Sequence, residues 1–498
     1  MGIPSYYRKI LQKYPGCLQK SVPEQVQALC FDFNCLVYRC LRSPTLSKYN
    51  SENELEWENE LIQEVIKAVK EIYVESGRPK QVFIAVDGVV PMAKIRQQRV
   101  RRFKSAWLQK HFGNSSEVWD KNAITPGTPF MNRLGDALEL LCREKGNGWE
   151  ASTSLISGEG EHKILEWLRK DKVVKGGNVV IYGLDADLIL LSMLIGEEKS
   201  LPLWLMREKQ EFGLDKKEEQ NKQEYQFMNL EEFKTRVNVK GYEQVLNYIC
   251  LMSLMGNDFL PHSVTHKLAG DGHEYIMREI QYNTKIVTLE GKIDNKVFQD
   301  ICKRWAMDEE EKMLEMIEKK QEQAKRGVLK DMPEYEGLPL TWHAESSLVN
   351  SWSKDLVDDW KEKYYTFSRK DLCQEYLNGL QWVLDYYRGK PVHLHWMFPS
   401  WLPPLWSDLA TCHLEQVKQE NQQDLFIFAN EQLAMVLPLE SWHLIKDKKL
   451  QKVPLYAPEY FPENFSFFSF GRRWLWECEA LIPPLTAGRL MEIQQKIL

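Results

Sequence analysis

The sequence predicts an α/β fold, a mostly parallel sheet flanked by helices, with a helical, tryptophan-rich C-terminal segment packed against it. Three observations carry this. From residue 1 to about 275, short apolar runs alternate with longer amphipathic stretches, the pattern of strand–helix–strand units. The runs are nearly continuous in apolar residues instead of alternating, as strands covered on both faces are. Of the 17 tryptophans, 11 lie beyond residue 300, and an aromatic-rich segment is usually core before it is recognition surface. The 498 residues allow roughly two to four domains. We divide them into a first domain over 1–275, a charged helical linker over 276–330 and a second helical domain over 331–498.

In chain order, 27–33, 81–86 and 178–183 read as buried strands, and segments around 58–75, 94–111, 131–145 and 159–170 read as helices between them. The mixed-charge stretch 207–224 reads as a solvated loop or fraying helix, and 308–326 as an exposed helix laced with i,i+4 ion pairs. No internal repeat or low-complexity tract appears.

Composition removes several classes. With 43% hydrophobic and 27% charged residues the chain folds and is not disordered. Its apolar runs fall short of the ~20 residues that a membrane helix needs. Sixty-five Lys plus Arg against 71 Asp plus Glu leave a net charge of -6, so binding to a polyanion requires a local patch. The ten cysteines are scattered without a CxxC pair, which reads as reduced intracellular thiols. Lys446-Asp447-Lys448-Lys449 is a weak nuclear signal, so a cytoplasmic location is the expectation. A myristoylation signal wants Ser or Thr at the sixth position and finds Tyr6.

In an open parallel sheet, ligands sit beyond the carboxyl ends of the strands. Seven acids stand out by context: Asp32 in FDFN, Asp87 in AVDG, Glu159 and Glu161 in SGEGEHK, Asp185 and Asp187 in YGLDADL, and Asp258 in MGNDFLPH. Any one strand-end Asp is more often a helix cap; seven in largely apolar or small-residue surroundings are harder to dismiss. If they converge, their repulsion demands a counter-charge. Only oxygen donors are on offer, which suits Mg²⁺, with Mn²⁺ as substitute. Two such ions ~4 Å apart are the recurrent clamp for attack of water on a phosphodiester.

Residues 94–104, KIRQQRVRRFK, hold six positive charges and no acid. On a helix Lys94, Gln98, Arg101 and Arg102 share a face, an anion receptor suited to a terminal 5′-phosphate. The plainer reading is a solvated basic helix, but its place seven residues after Asp87 favours the receptor. A basic pocket holding a chain end beside metals that cut implies exonuclease action from the 5′ end.

These segments resemble the XRN family of 5′-to-3′ exoribonucleases. The likeness runs in order through MGIPSYYRKILQKYP, FDFN, AVDGVVPMAKIRQQRVRRF, AITPGTPFM, SGEGEHKI, YGLDADLILL and LMGNDFLPH. It continues more thinly in GLQWVLDYYRGKP and HWMFP. The resemblance implies a PIN/FEN-like nuclease core over 1–275, with Gly2 and its neighbours beside the active site. It implies that the seven acids are ligands of two Mg²⁺ ions and that Lys94, Gln98, Arg101 and Arg102 hold a 5′-monophosphate. The implied substrate is single-stranded RNA, degraded processively to nucleoside monophosphates, by a monomer with no membrane attachment; protein partners are not indicated. The terminal base would stack between Tyr38, where the family usually has His, and Trp396. The family's Ser-Trp is replaced by His393-Leu394-His395, its Gly after Asn34 by Cys35, and its Leu-Pro after the GNDFLPH motif by Ser263-Val264. The chain is shorter than the cellular enzymes, as a compact variant would be. Two alternatives stand beside this one. A flap or DNA 5′ exonuclease uses a similar acid cluster, and a catalytically inactive RNA 5′-end-binding scaffold would have lost a ligand, yet none of the seven acids is missing.

Overall fold

A seven-stranded sheet organises the amino-terminal half of the computed structural model, which describes residues 3, 5–113, 118–170, 176–209, 224–326, 344–417 and 426–497. Its strands are β1 (Leu18–Gln19), β2 (Val26–Asp32), β3 (Gln81–Ala85), β4 (Trp149–Ser152), β5 (Asn178–Tyr182), β6 (Leu203–Glu208) and β7 (Tyr225–Asn229). Their spatial order is β1-β7-β6-β5-β2-β3-β4. β2 runs parallel to β3 and to β5, β4 and β6 continue parallel outside them, and β7 and β1 close one edge antiparallel. The chain therefore builds outward from β2 in one direction and then from β5 in the other. That reversal opens a crevice at the carboxyl ends of these strands.

The helices of this half are α1 (Tyr6–Lys13), α2 (Asn34–Cys40), α3 (Glu54–Glu75), α4 (Met92–Phe112), α5 (Pro129–Lys145), α6 (Gly160–Arg169), α7 (Asp187–Lys199), α8 (Leu230–Arg236) and α9 (Gly241–Ser253), of which α2 to α7 join strands. After them come α10 (Gly272–Gln281), α11 (Asn295–Trp305), α12 (Glu309–Arg326), α13 (Trp360–Tyr364), α14 (Cys373–Tyr387), α15 (Trp406–Leu409), α16 (Ala429–Val436), α17 (Val453–Tyr456) and α18 (Ala487–Lys496). The period-two direction of strand side chains splits each central strand between two cores. Ala28, Cys30, Val179 and Ile181 point to the side covered by α6, α7 and α9, and Leu29, Phe31, Val180 and Tyr182 to the side covered by α2, α3 and α5.

The three strands expected from the sequence are β2, β3 and β5. The edge strands β1 and β4, and β7 beside β1, span two to five residues each and were not anticipated; nor was β6, although it opens on the apolar run LWLM. Residues 276–330, expected as a charged linker, include buried Phe298, Ile301, Cys302 and Trp305 on α11, so that segment packs into the main core. Residues 308–326 are not wholly exposed either. Glu315 and Lys319 form the anticipated i,i+4 pair, but Met313 and Ile317 are buried and Lys320 makes a buried ion pair with Glu345 at 2.9 Å. Most of the 207–224 stretch, and the placement expected of Gly2, lie outside the described residues. Among the late tryptophans, Trp305, Trp360, Trp382, Trp406 and Trp474 are buried, whereas Trp352 and Trp476 are exposed.

The C-terminal segment is fastened to the sheet domain at two places. α14 packs beside α9, and Tyr376, Leu380 and Val383 enter the same core as α7 and α9. The apolar face of α4 (Met92, Ile95, Val100, Phe103) packs on α16, α17 and α18. Charge on α4 completes this second joint. Arg99, fully buried, donates to the carbonyls of Pro483 at 3.0 Å, Met435 at 2.8 Å and Tyr460. Arg96 donates to the Phe398 carbonyl and lies 3.9 Å over the Trp401 ring. Helix α4 is thus held by backbone oxygens of a segment more than 300 residues away.

Replacing Arg99 with Met would leave three buried carbonyls without donors, and we expect a loss of about 3 kcal/mol in stability. A urea melt reads it as a lowered midpoint; an unchanged midpoint would show that the clamp contributes nothing.

Candidate active site

Asp32 is the last residue of β2, and the Phe33 N–H donates to the Ala85 carbonyl at 3.1 Å, drawing the ends of β2 and β3 together. Asp87 follows β3. Its Oδ1 accepts the Gly160 N–H at 2.7 Å, which ties it to the first turn of α6. Glu159 and Glu161 flank that glycine. A Cβ on Gly160 would stand 2.8 Å from Asp32 Oδ1 and 2.9 Å from the Ala85 carbonyl oxygen. Only glycine lets the helix start come down onto two strand-end carboxylates. Asp187 opens α7 after β5, with Asp185 two residues earlier.

Asp258 arrives from the turn after α9, where Asn257 Oδ1 accepts the N–H groups of Phe259 and Leu260, each at 2.9 Å. Lys94 of α4 sits between the acids. Its Nζ is 2.5 Å from Glu159 Oε2 and 2.7 Å from Asp258 Oδ2. Gln97 donates to Asp258 Oδ1 at 3.2 Å, and Tyr386 of α14 donates to Glu159 Oε1 at 2.8 Å. The acids singled out by sequence context therefore meet in one place, at the crevice where the sheet reverses.

Burial and mutual repulsion set their protonation. Burial, then Asp185, Asp87 and Asp187, push the Asp32 carboxyl well above the usual carboxylate range. Glu161 is raised in the same way by burial and by Glu159. Asp87 is raised by burial, against the Gly160 N–H that favours its charged form. Asp187, buried with an Oδ1 that has no hydrogen-bond partner, is pushed up to about 7 by burial and by Asp185 and Asp258. Lys94 goes the other way from a normal buried lysine: burial opposes its charge, but Asp258 and Glu159 outweigh that and hold it protonated.

This donor set fits a divalent cation. Oxygens of Asp32, Asp87 and Glu161 lie within 4.8 Å of one another, and ligand atoms of Glu159, Glu161 and His162 do the same. Carboxylates this close and this desolvated are stable together only with a proton or a cation among them. His162, Tyr386 and Gln97 were not anticipated. His162 had a signal, standing next to Glu161, and its ring lies 3.9 Å from that of Tyr386; the contact of Tyr386 with an acid 227 residues away had none.

The basic face of α4 divides into parts. Lys94 belongs to the acid cluster. Gln98 and Arg102 are buried, each with a polar atom (Oε1 and Nη1) that has no hydrogen-bond partner, and Arg101 is exposed. Burial pushes Arg102 down to about 10, against the influence of nearby Tyr38. Tyr38 itself is 40% exposed on α2. Trp396 is placed differently. Its ring stacks on Trp382 (centroids 5.0 Å, planes 29° apart), its N–H donates to Glu375, and its edge packs on Gly379. Trp382 stacks in turn on Tyr386. Trp396 thus belongs to a packed row of rings, and no ring contact joins it to Tyr38 among the described residues.

A carboxyl whose pKa rises on folding binds its proton more tightly when native, so stability is lost as pH climbs from the unfolded value near 4 to the folded one. Asp187 extends that window to about 7. We expect the melting temperature in EDTA to fall between about pH 4 and about pH 7, and Mg²⁺ to restore more of it at the higher pH. An equal response to Mg²⁺ at both would sever metal binding from these carboxylates.

Residues 1–209 match the family model described as XRN 5'-3' exonuclease N-terminus, and residues 355–498 match the Xrn1 helical domain. The 5'-3' exoribonuclease 1 of Homo sapiens is 26% identical across 99% of this chain and 34% of its own length. The 5'-3' exoribonuclease 2 of Arabidopsis thaliana is 23% identical, across all of this chain and 67% of its own. The 5'-3' exoribonuclease 1 of Saccharomyces cerevisiae is 25% identical across all of this chain and 43% of its own. The chain thus spans between a third and two thirds of these relatives. With both family segments matched and the relatives aligned along nearly its whole length, the chain belongs to the XRN 5'-3' exonuclease family.

Proposed function

We propose that this chain is a metal-dependent 5′-to-3′ exoribonuclease that hydrolyses single-stranded RNA bearing a 5′-monophosphate to nucleoside monophosphates. The observation that carries the reading is the meeting of seven acids at the sheet's reversal point, at the foot of a helix whose next turns present Gln98, Arg101 and Arg102. The curated relatives named as exoribonucleases support the substrate class.

Two Mg²⁺ ions held by Asp32, Asp87, Glu159, Glu161, Asp185, Asp187 and Asp258 would activate water and neutralise charge on the scissile phosphate. The chain's own groups do the rest. The Gly160 N–H and the Tyr386 hydroxyl fix the directions of Asp87 and Glu159. Lys94 balances the surplus charge. Gln98, Arg101 and Arg102 take the terminal phosphate, for which paired guanidinium forks are suited. Tyr38 offers an exposed ring to the terminal base, a sequence-tolerant contact. A cytoplasmic site of action belongs to the same proposal.

The test is a time course on RNAs with 5′-monophosphate, 5′-triphosphate and 5′-hydroxyl ends, with Mg²⁺ or EDTA. Mononucleotide release from the monophosphate RNA, in Mg²⁺ alone, is the expected result. Cleavage from the 3′ end, or activity in EDTA, would refute the assignment. Asp187→Asn should lower the rate by roughly a hundredfold or more while RNA binding persists. Arg101→Ala should cut the preference for 5′-monophosphate over 5′-hydroxyl by about tenfold; equal losses on both would point to general damage.

A further inference from the structure

A second concentration of positive charge lies apart from the acids and from the basic face of α4. Arg472 is more than nine-tenths buried, and its Nε has no hydrogen-bond partner. Its Nη1 lies against the His262 ring, 3.1 Å from Nδ1. Lys267 Nζ donates to the Gly471 carbonyl at 2.5 Å, which brings an ammonium onto the residue preceding that guanidinium, and Arg473 follows. Burial, then Arg472, push Lys267 down to about 7.

Glu345 and Glu477 lie near enough to favour the Lys267 charge, yet among the described residues neither forms an ion pair with Lys267 or Arg472. Glu345 holds Lys320 at 2.9 Å and accepts the Gly471 N–H. Glu477 accepts the N–H groups of Arg473 at 2.7 Å and Trp474 at 3.2 Å. A desolvated guanidinium with an unused N–H, beside an ammonium that burial drives toward its neutral form, is stabilised by an anion that joins the two.

The surroundings say which anion. His262 ends the turn that presents Asp258, and a Cβ on Gly256 of that turn would fall 2.4 Å from the His262 Cβ. On the other side, Lys104 of α4, three residues past Arg101, donates to the carbonyls of Trp476 at 2.9 Å and Cys478 at 2.6 Å. The cations therefore share rigid support with both the acids and the basic helix. A polymer with a phosphate at every unit, engaged at those two places, has a further phosphate to offer.

We propose that Arg472 and Lys267, steadied by His262, form a second phosphate site that holds a phosphodiester of the RNA chain, separate from the pocket for its 5′ end. The identity of the ligand rests on the exonuclease reading; the anion site does not.

Salt-dependent affinity tests it. The full chain carrying Asp187→Asn, in Mg²⁺, is titrated with a 5′-phosphorylated oligouridylate and with a 5′-phosphorylated dinucleotide. Arg472→Gln and Lys267→Met should each weaken the oligomer about tenfold and reduce its salt slope by about 1. The dinucleotide should respond far less, and Arg472→Lys should keep the slope. An unchanged slope in both variants overturns the proposal, as does unfolding of both in a thermal melt. If inorganic phosphate raises the melting temperature of the parent but not of Arg472→Gln while the oligomer slope stays constant, the site takes a free anion and the RNA assignment falls. Absence of RNA hydrolysis by the unmutated chain would sink the exonuclease reading and leave this measurement standing.

Discussion

Repulsion among buried carboxylates is the constraint around which this molecule is arranged. Asp32, Asp87, Glu161 and Asp187 are each raised above the ordinary carboxylate range, so the sheet's reversal point is a place of stored electrostatic cost. The chain offsets part of it with a lysine ammonium shared by Glu159 and Asp258, one backbone N–H on Asp87 and one phenol on Glu159. Each comes from a different element: α4, α6 and α14. An acid cluster of this kind cannot be assembled from the sheet alone, and the elements supplying its counter-charges must be held rigidly against it.

Helix α4 shows how that rigidity is obtained. It carries six basic residues within eleven positions, and the structure gives them separate tasks. Lys94 enters the acids. Arg96, Arg99 and Lys104 bind carbonyl oxygens of residues 398–483. Arg101 is exposed, and Arg102 is buried with an Nη1 that has no hydrogen-bond partner. The buried guanidinium of Arg99 satisfies three carbonyls that would otherwise lack donors, which is why a charge there is tolerable. The C-terminal segment is thus the brace that fixes the direction of the helix bearing Lys94, Arg101 and Arg102.

Much of this was legible from the sequence, and the boundary of legibility has physical causes. β2, β3 and β5 announce themselves because strands covered on both faces are nearly continuous in apolar residues. β4 and β7 sit at or near an edge and keep polar residues. Asp32, Asp87, Asp185 and Asp187 were visible because each stands at the end of an apolar run, whereas Glu159, Glu161 and Asp258 stood out through their motifs. Tyr386 was not, because a phenol in an aromatic helix carries no mark of the acid it will meet. The same limit applies to Trp396. The family resemblance placed it beside a nucleobase, and nothing in the sequence announced its N–H bond to Glu375 or its stack on Trp382. The expected linker failed for a related reason: the charges of α11 and α12 dominate the composition, while Phe298, Ile301, Cys302 and Trp305 fall at helical spacing on a face that composition averages away.

The two segments matched by family models, 1–209 and 355–498, are separated by 145 residues of chain, yet they do not behave as two modules. Leu377, Leu380 and Val383 of the second share a core with Ile164, Leu188 and Ile189 of the first, and α9 and α11 of the intervening segment contribute to that same core. The Tyr386–Glu159 bond carries this fusion into the site itself. A site that keeps repelling carboxylates at fixed separations cannot tolerate a hinge through their supports, because a shift of an ångström would change their mutual repulsion. Interleaving the segments removes the hinge, and it explains why the acids draw on residues as far apart in the chain as Asp32 and Tyr386.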